Sequence, residues 1–163
     1  MKYKCVYPGS FDPMTFGHLD IIKRSARLFE EVHVAVLNNT NKKCMFSLEE
    51  RLSMLREETE DLHNVRVHSF GGLLVDFLHA QDISIVVRGV RNQTDMELEE
   101  MMANTNRILY PEMETVMLVA NPKLNHISSS IIKELIRLGA DITSFVPASV
   151  MQRINGGSRN ENQ

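Results

Sequence analysis

The chain has 163 residues, 43% of them apolar and 24% charged, with a formal net charge of −3. This fits one folded domain with its own core, and excludes a disordered tail-like chain or a globally basic surface for nucleic acid or membranes. No apolar run approaches the roughly 20 residues needed to cross a bilayer.

The first eight residues carry no apolar signal segment, and Cys5 and Cys44 lack zinc-type spacing, so two reduced thiols in a cytoplasmic protein are expected. Ten methionines and no tryptophan predict a Met-rich core or interface.

Strand-like and helix-like segments alternate along the chain. Tyr3–Tyr7 reads as a first strand, and Leu19, Ile22, Ala26 and Phe29 then recur at helical spacing. Val32–Leu37 is a second, valine-rich strand. Ser47 and Glu50 form a capping box that opens a helix striped by Leu48, Leu52, Leu55 and Leu62. Val65–Phe70 is a third strand, followed by a short helix with Leu74, Phe77 and Leu78.

Ile83–Val87 is a fourth strand. Thr94 and Glu97 suggest a second capping box before a helix carrying Met101, Met102, Thr105 and Ile108. Thr115–Ala120 is a fifth strand. Ser128 or Ser129 caps a helix with Ile131, Ile132, Leu135 and Ile136, stopped by Gly139, and Pro147 suits the first turn of a last helix. Residues 155–163 are polar and expected to fray, leaving 1–154 as one domain. Repeated strand–helix alternation with nearly continuous apolar strands predicts an α/β, Rossmann-like, doubly wound five-stranded parallel sheet with helices on both faces.

Such sheets bind ligands beyond the carboxyl ends of their strands. The first such segment, Tyr7–His18, offers Gly9 for close backbone approach, the Ser10 hydroxyl, and Gly17-His18 at a helix start. The second offers Lys42 and Lys43, the third Gly71 to Leu74, the fourth Arg88-Gly89-Val90-Arg91, and the fifth the run Asn121 to Ser130. Each alone has an ordinary reading as a turn, a solvated loop or redundant helix caps. Together they place phosphate-binding groups along one sheet edge.

Thr15-Phe16-Gly17-His18 resembles the [HT]-x-G-H motif of the nucleotidylyltransferase superfamily, and Ile127-Ser128-Ser129-Ser130 resembles its second motif. With Tyr7–Pro13, Lys42-Lys43, Met45-Phe46, Glu49-Glu50-Arg51 and Arg88–Arg91, the set resembles the bacterial phosphopantetheine adenylyltransferase family from about residue 3 to about residue 153. The resemblance implies transfer of AMP from ATP to 4′-phosphopantetheine, giving dephospho-coenzyme A and pyrophosphate. It also implies use of Mg²⁺, a homo-hexamer and feedback inhibition by coenzyme A.

Carried over by position, His18, Lys42, Arg91 and Ser10 are the expected catalytic residues. The ATP side comprises Ser10, Phe11, His18, Gly89, Val90, Arg91, Glu99, Leu124, Asn125, His126, Ile127, Ser128, Ser129 and Ser130. The phosphopantetheine side comprises Ser10, Lys42, Leu74 and Arg88. Ser10 stands where threonine is usual, Gly72 where some members have an acidic residue, and Leu124 where some have tryptophan.

No nucleophilic triad accompanies these residues, so catalysis is expected to rest on positioning and electrostatics. Two competing readings are a nucleotidylyltransferase using CTP or a nicotinamide mononucleotide acceptor, and a non-catalytic nucleotide sensor. Arg88–Arg91 with Tyr7–Ser10 and the serine triplet stand against the first; intact His18, Lys42 and Arg91 stand against the second.

Overall fold

The computed structural model describes residues 3–39 and 43–157. Five strands, β1 (Lys4–Gly9), β2 (Glu31–Leu37), β3 (Val65–Phe70), β4 (Ile85–Val90) and β5 (Glu114–Val119), pair in the order β3-β2-β1-β4-β5. Every pairing is parallel. The connections are α1 (Phe16–Leu28), α2 (Leu48–Glu58), α3 (Leu74–Gln81) and α4 (Gln93–Leu109), with α5 (Ser129–Arg137) and α6 (Ala148–Gly157) following β5. The expected doubly wound sheet is therefore present.

Side chains alternate across a strand, and the two faces of the sheet bear this out. Cys5, Tyr7, Val32, Val34, Val36 and Val87 pack with Ile22 of α1, Leu52 and Leu55 of α2, Ile132 of α5 and Val150 of α6. The intervening Val6, Ala35 and Val86 face the other way, against Leu78 of α3, Ile83 and Met113. Helix α4 differs from the rest: none of its residues is buried.

Four of the five expected strands shift. β1 spans Lys4–Gly9 instead of Tyr3–Tyr7, its end carried past Tyr7 by pairing of Pro8 and Gly9 with Ala35 and Val36, and β2 starts at Glu31, one residue before Val32. β4 begins at Ile85, not Ile83, and runs on through Val90. Ile83 is buried and its amide bonds the Leu78 carbonyl, completing the end of α3. Arg88, Gly89 and Val90 pair with Met117, Leu118 and Val119, a long-range partnership that local apolar character does not reveal. β5 likewise spans Glu114–Val119 instead of Thr115–Ala120.

The capping boxes divide as well. Ser47 and Glu50 form one as expected, with Ser47 N–H donating to Glu50 Oε2 at 2.8 Å and Glu50 N–H to Ser47 Oγ at 3.2 Å. The predicted Thr94–Glu97 box does not form. Asn92 caps α4, its Oδ1 accepting from Asp95 N–H at 2.9 Å. Asparagine caps as well as threonine does, and it stands before the first helical turn. Ser128, of the two candidates, caps α5. Helix α6 continues to Gly157, so the expected tail from 155 is helical at its start; 158–163 lie outside the described residues.

Strand order reverses direction between β1 and β4, which opens a crevice at the carboxyl ends of those strands. The segments following β1 and ending β4 meet there.

Candidate active site

Two adjoining cavities fill the crevice. The first, about 340 Å³, lies between the β1–α1 loop, the end of β4 and the start of α5. The second, about 480 Å³, lies toward β2, β3 and α4 and is walled by Leu37, Phe70, Leu73, Leu74 and Met102. Pro8, Gly9, Ser10, Arg88 and Glu99 line both, so these residues form the wall where two occupants would meet.

The β1–α1 loop is folded tightly. Phe11 takes φ +48° and turns its buried ring back over Gly9, where a Cβ would stand only 3.1 Å from the ring. Glycine is required at that spot by close approach. The same ring meets the His18 imidazole edge-on, at 5.1 Å between centroids.

His18 is the third residue of α1 and closes a capping box with Thr15. The Thr15 backbone N–H donates to His18 Nδ1 at 3.1 Å, and the His18 N–H donates to Thr15 Oγ1 at 3.3 Å. A backbone amide is a donor only, so Nδ1 accepts and the ring proton of the neutral imidazole sits on Nε2. Burial, reinforced by Arg91 and then Arg88, pushes the His18 pKa down to about 4. At neutral pH the cavity wall therefore offers an uncharged imidazole with one N–H donor.

Both arginines of β4 and its exit are held by carboxylates of α4. Arg88 Nε donates to Glu99 Oε2 at 2.6 Å and Nη2 to Oε1 at 2.5 Å, while Nη1 donates to the Pro8 carbonyl at 2.8 Å. Arg91 Nε and Nη2 donate to Asp95 at 2.7 and 3.0 Å, and Nη1 to the Ile127 carbonyl at 3.2 Å. Each uses three of a guanidinium's five N–H groups, leaving others for a ligand. The Arg91 fork holds the Asp95 carboxyl below its usual range. Gly89, between the arginines, lets β4 approach α1: a Cβ there would stand 3.0 Å from Ile21 Cγ1.

At the far side of the first cavity, Ser128 Oγ accepts from Ile131 N–H at 3.2 Å, and Ser129 Oγ donates to the Pro13 carbonyl at 2.8 Å. The N-termini of α1 and α5 thus both border this cavity, and helix N-termini favour anions.

The structure brings together most of the residues singled out from sequence. Ser10, Phe11, His18, Gly89, Arg91, Glu99, Leu124, Ile127, Ser128, Ser129 and Ser130 line the first cavity, and Leu74 lines the second with Ser10, Arg88 and Glu99. Val90 instead turns into the core, and Asn125 and His126 are exposed and outside the lining, with His126 edge-on to Phe145. Lys42 lies outside the described residues. Gly72 lines the second cavity.

Sequence reading gave no role to Asp95, which partners Arg91, and named Thr15 within its motif without the capping bond by which its backbone fixes the His18 tautomer. Arg91 precedes α4 and its cap Asn92, so helical spacing gave no signal for its pairing with Asp95. Among the described residues, no group of three or more His, Cys, Asp or Glu side chains could hold a metal ion. No helix among them is long and apolar enough to cross a membrane.

Residues 6–135 match the cytidylyltransferase-like family model. A phosphopantetheine adenylyltransferase from Dictyoglomus turgidum is 49% identical over 151 residues, covering 93% of this chain and 94% of that protein. One from Heliobacterium modesticaldum is 47% identical over 149 residues, covering 91% and 89%. Among solved structures, a Vibrio parahaemolyticus protein provisionally named a nicotinate-nucleotide adenylyltransferase superposes with a TM-score of 0.65 at 14% identity, covering 94% of this chain and 99% of its own. That likeness concerns the fold.

Proposed function

The chain belongs to the phosphopantetheine adenylyltransferase family, within the cytidylyltransferase-like group, and on that premise we propose that it transfers AMP from ATP to 4′-phosphopantetheine, giving dephospho-coenzyme A and pyrophosphate. The observation that carries the reading is the wall shared by the two cavities. The first, bordered by two helix N-termini, His18 and Arg91, suits the nucleotide and its phosphates. The second, more apolar, suits the pantetheine arm, with its phosphate directed to Ser10, Arg88 and Lys42.

The acceptor phosphate is already ionised at neutral pH, so no general base is needed. One of its oxygens attacks the α-phosphorus, the bond to the bridging oxygen breaks, and pyrophosphate leaves. Each pair of unit charges brought to 4 Å costs about 4 kcal/mol at an effective dielectric of 20, so the chain's task is to offset repulsion. His18 donates from Nε2 to an α-phosphate oxygen as negative charge builds there, without itself releasing a proton. Arg88, Arg91 and Lys42 hold phosphates, Ser10 bridges the two substrates, and the amides and hydroxyls of Ser128–Ser130 take the outer phosphates. Leu124 and the backbone around Gly89 and Val90 form the nucleotide wall, while Leu74 packs on the acceptor arm.

Mg²⁺ enters this proposal on the nucleotide. Glu99 and Asp95 are the carboxylates lining the cavity, and arginines already engage both, which suits a cation liganded chiefly by phosphate and water. Its contribution would be neutralisation of polyphosphate charge.

Coenzyme A carries both moieties, so feedback inhibition would follow from its spanning the two cavities. The exposed Met96, Leu98, Met101, Met102, Ile108 and Leu109 of α4 support burial against other copies in a homo-hexamer. A cytoplasmic location fits a substrate pair drawn from metabolism.

The test is pyrophosphate release from ATP and Mg²⁺ with 4′-phosphopantetheine, nicotinamide mononucleotide or no acceptor, and from CTP in place of ATP. Release with ATP and 4′-phosphopantetheine alone, with dephospho-coenzyme A identified by mass, is the expected result. Release with another pair, or nucleotide binding without release, would overturn the assignment.

A further inference from the structure

We propose that Arg51 is a positioning residue for the acceptor cavity, its guanidinium joining the Ser10 and Leu37 carbonyl oxygens so that the ends of β1 and β2 keep one fixed spacing. This rests on the reading that the second cavity receives 4′-phosphopantetheine. Arg51 is only 3% exposed, in the first turns of α2. Its Nη1 donates to the Ser10 carbonyl at 2.8 Å and to the Leu37 carbonyl at 3.2 Å. Ser10 and Leu37 both line the second cavity, whereas Arg51 stands behind that wall.

The surroundings of Arg51 set it apart from the other arginines of the site. Arg88 and Arg91 each have a carboxylate; among the described residues Arg51 has none, and none of them bonds its buried Nε. Burying a cation without a counter-charge works against folding, and a neutral or apolar side chain would be cheaper there. The arrangement does, however, serve an anionic ligand. Carbonyl oxygens that end parallel strands carry partial negative charge toward the crevice, and a free one would repel an incoming phosphate. Arg51 takes up two of them and leaves a fixed positive charge behind the wall. The Ser47–Glu50 capping box anchors the turn that carries it.

The experiment compares wild type, R51Q and R51K as full chains. It reads kcat, the KM of each substrate, the ATP Kd by calorimetry, Tm, and amide exchange of the peptides carrying Ser10 and Leu37. We expect R51Q to raise the phosphopantetheine KM and lower kcat by about tenfold or more each, because small misplacements at a reacting centre are costly, while the ATP Kd stays within about twofold. Exchange should quicken in both peptides, and R51K should recover part of the KM. A folded R51Q with all constants near wild type would overturn the proposal, as would equal losses for both substrates. If R51Q does not fold, R51K decides by the same split: loss confined to the acceptor side supports the role, and no loss or an even loss refutes it. Wild type lacking acceptor-dependent turnover would instead refute the functional reading, and the exchange data would still report on the clasp.

Discussion

Replacing His18 separates its two jobs. The ring caps α1 through Nδ1 and offers Nε2–H to the cavity. H18A loses both. The lost cap should cost about 1 kcal/mol, a fall in Tm of roughly 2–4 °C for a chain of this size. The lost donor should reduce kcat by about 10²–10³, equivalent to roughly 2.7–4 kcal/mol of transition-state stabilisation. These effects cannot be confused. Domains are typically stable by about 5–15 kcal/mol, so losing 1 kcal/mol leaves nearly all molecules folded at 25 °C.

H18E sharpens the comparison. Glutamate can accept the Thr15 amide as Glu50 accepts that of Ser47, so Tm should stay near wild type. Yet it provides no donor and adds negative charge, so kcat should fall at least as far as in H18A. The assay is steady-state pyrophosphate release at saturating substrates, beside thermal melts of the same preparations. Either variant retaining kcat within about threefold of wild type would refute the donor role.

Three further outcomes follow from the geometry. His18, His33 and His68 all titrate below the ordinary histidine value, burial being the leading cause in each. The unfolded chain takes up protons near pH 6.5 that the folded chain refuses, so stability should decline as pH falls below that point, by about 1.4 kcal/mol per pH unit per proton. For His18 the loss should continue to about pH 4; urea midpoints that stay flat or rise from pH 7 to 5 would contradict this. D95N should free the Arg91 fork and raise the ATP KM roughly tenfold, in keeping with the loss of a charge-assisted pair, with little change in the phosphopantetheine KM. G89A should lower stability by about 1 kcal/mol or more, since its Cβ would press on Ile21, and an unchanged Tm would show that β4 and α1 do not pack as described.

What was legible in the sequence follows from the range of the forces involved. Helix periodicity, valine-rich strands and the Ser47–Glu50 box are local, and they appear where expected, except that α2 ends at Glu58 and leaves Leu62 of its predicted stripe beyond the helix. The ends of β4 were not legible, because Arg88 and Gly89 become strand only by pairing with Met117 and Leu118 far along the chain. The α4 cap was misplaced because Thr94 and Asn92 are both competent caps, and the choice between them depends on where β4 ends. The cavity residues on strand ends and helix starts could be named from motifs. Their pairing could not: nothing local says that Glu99 grips Arg88, or that Arg51 reaches past its own helix to Ser10 and Leu37. Met101, Met102 and Ile108 share helical spacing with core residues elsewhere, yet they are exposed, since periodicity marks an apolar face without saying what covers it.

The most direct test of the account is exchange of labelled pyrophosphate into ATP on the purified protein with Mg²⁺. If the two substrates react directly across the wall formed by Ser10 and Arg88, exchange should occur only when dephospho-coenzyme A is present to run the reaction backwards. Exchange with ATP and pyrophosphate alone would mean that the protein itself carries the adenylyl group, and would contradict direct transfer.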